Sequence, residues 1–462
     1  MSSAAEAGRR MAYLAAGVVG CGFVEASLRR GLDHHDVAFI GVDAGSTDPG
    51  PRYLAGEQGI FSRASYLRDL RGLLLAARSA EIPLLIGSAA GSGNDWSVDY
   101  FAALIREIAQ AEGLSFTMAK IYAEQKPETV LDYLESGKVF PLAAAPPYDA
   151  DAVRRSQRIV AVMGAEPFQA ALDAGADVIV AGRTTDTAIY AAVPLARGVN
   201  PAVAWHAAKI AECGTSAAEP RGRMDVLLLT LAPDSFTVEP LRDDIRCTPM
   251  SVAAVQLHEV ADPSRMVEPG WIIDLPNVRY TAANDRRVHV EGAVAHRVAN
   301  TNKIEGVEFA GYQSMFLCGV RDPTIIESID AWMDSLQSDI RGRCAEVVGP
   351  AALDSSKVTV RVYGRDGVLG QREPLRYETP HEVALVVDVL SPDEGITRAV
   401  IEIVEYAYQH GKSLRWRGHG TLAYPFSQRI FHIGPVYAFN VHHVISEPDP
   451  HRLFTTQLEL VG

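Results

Sequence analysis

The chain of 462 residues exceeds the usual size of one domain, and its 48% hydrophobic and 22% charged residues suit a globular protein with a sizeable core. A formal net charge of −14 with no basic stripe excludes nucleic-acid binding, and no run approaches the ~20 apolar residues of a membrane span. The five cysteines (Cys21, Cys213, Cys247, Cys318, Cys344) are odd in number and lack CxxC spacing, which points to a reducing cytoplasm rather than a disulfide framework.

Arg9-Arg10 and the apolar stretch 11–24 imitate a secretory signal, but Gly17, Gly20 and Gly22 interrupt it and Glu25 ends it. It reads instead as a first strand (residues 11–19), a loop Gly20-Cys21-Gly22 and a helix (25–31), behind a tail of residues 1–10 expected to be disordered. A second strand (37–42) ends at Asp43 in a loop to Gly50, and residues 66–79 form a helix. A third strand (83–86) opens into Gly87-Ser88-Ala89-Ala90-Gly91-Ser92-Gly93-Asn94-Asp95, and the helix behind it buries Phe101, Leu104, Ile105 and Ile108 at helical spacing.

A fourth strand (115–122) and a helix (126–135) precede an Ala/Pro linker (143–148). A helix around 167–174 then leads to the apolar, β-branched run from Asp177 to Ala181, a buried parallel strand opening into Gly182-Arg183-Thr184-Thr185-Asp186-Thr187. Asn200-Pro201 opens another helix, and Gly214 closes it. Strand and helix alternate as far as residue 215, which predicts an α/β fold with a doubly wound, mostly parallel sheet in residues 11–220. A mixed β-rich lobe is expected over 221–355, with strands at 226–231, 250–256, 287–290 and 314–320 and an amphipathic stretch at 325–341. A small α+β domain is expected over 356–462, with strands at 357–363 and 381–390, a helix at 394–410 and a Pro/His-rich tail.

In such sheets ligands collect at the carboxyl ends of the strands. Arg183 with Thr184 and Thr185 fits a bidentate clamp for a substrate carboxylate. The same residues also fit a capped helix with Arg183 paired to Asp186. Gly87, Ser88, Gly91, Ser92, Gly93 and Asn94 offer backbone amides and polar side chains to an anion, while Asp95 and Asp99 equally suit the first turn of a capped helix. Asp95 is also the candidate for a divalent metal ion bridging to an anionic ligand.

Gly20, Gly22 and Asp43 imitate a dinucleotide fingerprint, but Glu25 stands where the third glycine belongs, so NAD(P) is disfavoured and the cofactor stays open. His206, Lys209 and Cys213 share one helical stripe near a C-terminus. There the dipole opposes a reactive thiolate and favours protonated His206 and Lys209 as anion anchors or general acids. Glu212 reads as an ordinary partner of Lys209. Residues 417–421 and His442-His443 are the densest histidine regions, without metal-ligand spacing.

A glycine loop after the first strand, Ile86-Gly87-Ser88-Ala89-Ala90-Gly91, Ala181-Gly182-Arg183-Thr184-Thr185-Asp186-Thr187 and Lys209-Ile210-Ala211-Glu212-Cys213-Gly214 resemble the acyclic terpene utilisation (AtuA-like) family. The resemblance spans residues 10–355, and the segment 421–427 is similar to the tail of a subset of such proteins. It implies bacterial catabolism of branched acyclic terpenoids and related acids, and a small companion subunit in a two-component enzyme. The first two loops lack the acidic residue and the longer Gly/Asn signature of other members, so a polar organic acid is as much implied as a terpenoid.

The expected function is therefore that of a cytoplasmic, homo-oligomeric catabolic enzyme acting on a small carboxylate or its thioester. Addition or elimination next to the carboxylate (hydratase or lyase chemistry) needs an anchor, Arg183, and an oxyanion hole, the amides of residues 87–94. It also needs proton-moving groups, here His206, Lys209 and Asp186. The alternatives are an NAD(P)-dependent oxidoreductase and a non-catalytic ligand-binding or scaffold subunit.

Overall fold

The computed structural model describes residues 10–411 and 422–462. The first nine residues, and the histidine-bearing segment 417–421, lie outside the described residues. The chain divides into two compact units, one of residues 1–308 and 439–462 and one of residues 309–438. The breaks expected near residues 220 and 355 are not where it divides, because the strands that follow residue 220 extend the first sheet instead of starting a separate lobe.

In the first unit, strands β1 (Met11–Val18), β2 (Val37–Asp43), β3 (Leu84–Gly87), β4 (Phe116–Tyr122) and β5 (Val178–Ala181) lie parallel in the order β1-β2-β3-β5-β4. On the β1 side, β6 (Leu227–Leu231), β7 (Ser235–Pro240), β8 (Arg279–Ala282) and β9 (Val288–Glu291) continue the sheet antiparallel. On the β4 side, β10 (Thr455–Val461) does the same in a region where only an irregular tail was expected.

The fold is mixed α/β, and its central strands are covered on both faces. Successive residues of one strand enter different cores: Tyr13 and Ala15 pack with Trp205 and Ile210, while Leu14 and Ala16 pack with Leu73 and Phe101. Helices α1 (Glu25–His34), α2 (Arg63–Ser79) and α3 (Asp95–Glu112) bury their apolar stripes in the second of these cores, and α4 (Glu166–Asp173), α5 (Asp186–Ala196) and α6 (Pro201–Ala211) in the first. Burial from both sides explains why these strands read as unbroken apolar runs.

Residues 250–256, expected as a strand, lie in a helix (Pro249–Gln256). Thr248 and Ser251 cap it reciprocally and Pro249 takes the first helical position, so the capping chemistry outweighs the β-branched composition. In the second unit, Lys357–Tyr363 and Val383–Ser391 pair antiparallel with each other, and Val383–Ser391 with residues 312–320. The helices Ile329–Val348 and Glu394–His410 meet there around Trp332 and Tyr408, whose rings cross edge to face 5.4 Å apart.

At the carboxyl edge of the large sheet the loops are stitched together by backbone hydrogen bonds. Val19 N–H donates to Asp43 (2.8 Å), Ala44 to Gly87 (3.0 Å), Ser88 to Gly182 (3.1 Å) and Arg183 to Gly93 (2.9 Å). The fit between the last two loops requires glycine: Gly93 has φ +63°, and a Cβ there would stand 2.7 Å from the Arg183 Cα. Gly93→Ala is expected to lower stability by more than about 2 kcal/mol through strain and collision together, read as a fall in the urea midpoint at unchanged m-value.

Candidate active site

Arg183 follows β5 and is almost fully buried, at 8% exposure. A guanidinium in that position must be neutralised and hydrogen-bonded, and the chain supplies both. Its Nε donates to Glu305 Oε2 (2.9 Å), and one terminal nitrogen donates to Ser88 Oγ (3.2 Å) and the Thr184 carbonyl (3.0 Å) and lies 3.7 Å from Asp186 Oδ1. Glu305 accepts from Lys303 Nζ on its other oxygen (2.6 Å). Burial alone would raise the Glu305 carboxyl, but the Arg183 and Lys303 charges hold it down to about 2.

Glu305 and Lys303 arrive from a distant stretch of chain. The beginning of the strand Thr301–Val320 pairs antiparallel with the strand Ser156–Ala161. Val162 N–H donates to the Lys303 carbonyl (2.8 Å), Met163 N–H to the Arg183 carbonyl (3.1 Å) and Thr185 N–H to the Met163 carbonyl (3.0 Å). The segment 156–163 thus splices strand 301–308 to the loop after β5.

Beside this network opens a cleft of about 400 Å³. Arg183, Thr185, Asp186 and Thr187 line it from the β5 loop, Lys209 and Glu212 from the end of α6, and Lys303 from its strand. The remaining wall is the segment 259–268, with Val260, Ala261, Met266 and Val267 apolar and Glu268 at its end. Lys209 and Glu212 form a tight buried ion pair. Glu268 lines the cleft with Thr185 and Thr187, whose hydroxyls are 2.9 Å apart.

Crowding of acids in a poorly hydrated space sets the protonation of the cleft. Burial, against the pull of Lys209, pushes Glu212 up to about 8. Burial also pushes Glu268 up to about 7, although the two threonine hydroxyls draw it down. Asp186 is raised by burial against the Arg183 charge. Asp43 behind it is raised further, by burial and then by the Asp186 charge. Lys209 stays protonated because Glu212 outweighs the cost of its burial.

Of the residues singled out in the sequence, Arg183, Thr185, Asp186, Thr187, Lys209 and Glu212 share this cleft, and the other proposed site residues do not line it. Thr184 is fully buried and spends its hydroxyl on the Met163 carbonyl, while Thr185 caps α5 by accepting from Ala188 N–H. His206 is 1% exposed, and burial lowers it to about 3, so it is a neutral ring held by Phe236 and by the Tyr280 hydroxyl (3.2 Å) and not a cationic anchor. One turn separates it from Lys209, but α6 is buried on nearly all sides, so the shared stripe faces core at one residue and cleft at the other. Cys213 is pushed up to about 12, by burial and then by Glu212.

The glycine loop after β3, expected as an oxyanion hole, does not line this cleft. The amides of Ser88, Ala89, Gly91 and Gly93 all donate to backbone carbonyls, and Ser88 Oγ accepts from Arg183. Gly87 packs against Ile189 and Thr184, and Ser92 is 1% exposed with no partner for its hydroxyl. Asn94 caps α3 and donates to the Leu54 and Gly56 carbonyls (both 3.1 Å). Asp95 accepts from Glu124 N–H (3.1 Å), and burial beside Glu124 raises it to about 6. Among the described residues no group of three His, Cys, Asp or Glu side chains is arranged to hold a metal ion.

The dinucleotide-like loop is likewise occupied. Gly20 and Gly22 N–H donate to the buried Asp69 carboxylate (2.7 and 2.9 Å), so a side chain of α2 fills the place a pyrophosphate would take. Asp43 turns one oxygen to Gly45 N–H (3.1 Å) and leaves the other buried and unpartnered.

Sequence reasoning passed over Glu305 and Glu268, while Glu212 is the partner of Lys209 that it expected. The one available signal was the alternation Lys303-x-Glu305 opening a strand, which places two opposite charges on one face.

The sequence profile described as Acyclic terpene utilisation family protein AtuA matches residues 80–220 and 241–429. Both stretches carry walls of the cleft: Arg183 to Glu212 in the first, Glu259 to Lys303 in the second. No curated protein and no solved structure matches the chain.

The raised carboxyl of Glu268 fixes a direction for stability against pH. Its value in the folded protein, about 7, lies above the unfolded value of about 4.3. Its contribution is therefore fully present below about pH 4 and is lost as pH rises through 7. Against Glu268→Gln, the wild type should lose up to about 1.4 kcal/mol per pH unit between pH 5 and 8. Urea unfolding of the two proteins across that range measures the difference, and parallel curves would contradict it.

Proposed function

Because the chain belongs to the acyclic terpene utilisation family, whose role is catabolic, we propose that it is an enzyme acting on a small organic acid or its thioester. The proposed reaction is addition or elimination of water at the carbons next to the carboxyl group. The observation that carries this reading is the cleft itself. Four cations, Arg183, Lys209, Arg265 and Lys303, border the same space as the carboxyl groups of Glu212 and Glu268, both raised by burial. Removing a proton beside a carbonyl requires both a base titrating near the working pH and fixed positive charge for the electrons left behind.

Arg183 Nε and one terminal nitrogen are engaged by Glu305, Ser88 and the Thr184 carbonyl, which leaves the second terminal nitrogen and the fixed charge at the floor of the cleft for the substrate. Lys303, a third exposed, can turn an ammonium donor to the substrate's carboxylate or thioester oxygen. As the C–H bond breaks, its electron pair moves toward the carbonyl oxygen, and the hydroxyl on the neighbouring carbon leaves as water once protonated. Val260, Ala261, Met266 and Val267 give the substrate's hydrocarbon part an apolar wall.

The test uses branched unsaturated and hydroxylated acids, and their coenzyme A thioesters, incubated with the protein in D2O. Deuterium should enter the carbon next to the carbonyl, read by mass spectrometry and proton NMR. Lys303→Ala should raise KM about 10-fold or more, in line with the loss of one charge-assisted hydrogen bond. Neither exchange nor hydration with any compound that measurably raises the melting temperature would replace this reading with that of a binding subunit.

A further inference from the structure

We propose that this cleft takes its acid as a thioester on a pantetheine arm, and that the free edge of the strand Arg265–Glu268 holds the amides of that arm. The assignment rests on the reading of the cleft as a site of addition or elimination, and it names the form in which the substrate arrives.

The strands Arg265–Glu268, Trp271–Asp274 and Val294–Arg297 make a small antiparallel sheet in that order, so Arg265–Glu268 has a partner on one side only. All of its residues, Arg265, Met266, Val267 and Glu268, border the cleft. Successive side chains of a strand point to opposite faces. A space that touches every residue in turn therefore meets the strand along its edge and not across one face. An edge offers backbone N–H and C=O groups, and these recognise the amides of an extended ligand.

The register shows which groups are free. Antiparallel partners alternate between pairs that exchange hydrogen bonds and pairs that do not. Leu275 N–H donates to the Ser264 carbonyl (2.9 Å), which makes Met266 with Ile273 and Glu268 with Trp271 the bonded pairs. Arg265 and Val267 then turn their backbone groups away from Trp271–Asp274. The Arg265 N–H is spent on the Asp262 carbonyl (3.1 Å). Among the described residues no strand pairs with the outer edge, which leaves the N–H and C=O of Val267 and the C=O of Arg265 for a ligand.

A pantetheine arm matches this pattern. Its β-alanyl unit carries an N–H and a C=O joined by a short carbon link, much as a strand residue does, and can exchange both bonds with Val267. The carbons of that link bear only hydrogens, so the arm fits beside an acyl group in a cleft of about 400 Å³, where a peptide strand would have to place side chains as well. The acyl group beyond the sulfur meets the Lys303 ammonium and the apolar Val260 and Ala261. A free acid of the same skeleton leaves the edge unused.

The test offers one branched acid to the wild type in D2O in four forms: free acid, ethyl thioester, pantetheine thioester and coenzyme A thioester. The ethyl compound keeps the sulfur and lacks the amides. Between it and the pantetheine thioester, kcat/KM for exchange should rise about 10- to 100-fold, chiefly through KM, as expected for two hydrogen bonds. Methylating the β-alanyl nitrogen should cost about 5-fold or more of that gain, and this needs no substitution in the protein. Val267→Pro removes the edge N–H at a position where proline suits a strand, and it should shrink the gain. Val267→Ala keeps the N–H and should keep the gain. A coenzyme A thioester used as well as the pantetheine thioester identifies free coenzyme A as the carrier, whereas its exclusion identifies a carrier protein, and both support the arm.

An ethyl thioester or free acid used as well as the pantetheine thioester, an N-methyl analogue equal to its parent, or an undiminished gain in folded Val267→Pro would each overturn the assignment while leaving the reading of the cleft intact. If the wild type exchanges none of the four forms of any acid that binds, the reading of the cleft falls and the assignment falls with it.

Discussion

A guanidinium buried at the end of a central strand is tolerable only if carboxylates meet it, and the pairing of Arg183 with Glu305 is the contact on which the rest of the site depends. Removing one partner of such a pair typically costs about 3–5 kcal/mol, because the other charge is left buried alone. The pair therefore ties strand 301–308 to the loop after β5 energetically, as the backbone bonds through Val162 and Met163 tie it geometrically. Lys303, two residues before Glu305, is carried to the cleft by the same strand. Ser88, at the end of β3, completes the shell of the guanidinium, and that explains why the glycine loop presses so closely on Arg183.

Arg183 is thus a structural centre, its charge fixed by Glu305, and the acids that burial raises lie one layer out, at Glu212 and Glu268. Burial supplies the upward push on these acids, and at Glu212 the paired Lys209 ammonium opposes it. Asp186, Glu212, Glu268 and Glu305 stand together because Arg183, Lys209 and Lys303 offset them and because burial raises the first three toward their neutral forms.

Much of the fold was legible in the sequence. The strands ending at Asp43, Tyr122 and Ala181 announced themselves as apolar runs before polar loops, and the helix Glu394–His410 fell where its periodicity placed it. Local chemistry also settled caps such as Asn200 before Pro201. The strand assigned to residues 250–256 failed for a local reason, since the Thr248-Pro249-x-Ser251 start was there to be read. The domain breaks failed for a non-local one: whether Leu227–Leu231 founds a new sheet or joins an old one depends on β1 having a free edge.

The sequence by itself determined the fold class and the loop that anchors the site, because hydrophobic period, turn residues and a charged residue behind a buried strand are all local properties. It also named Lys209 and Asp186, which the structure places in one cleft with Arg183. Tertiary structure alone decided which polar groups were already spent. The amides of Gly20 and Gly22 were filled by Asp69, those of the β3 loop by neighbouring carbonyls, and His206 was closed in by Phe236 and Tyr280. It alone brought Glu268, Lys303 and Glu305 to Arg183 across more than a hundred residues in the case of Glu305. A hydrogen-bonding group has a fixed number of partners, and a sequence shows that the group exists but not which partner reaches it first.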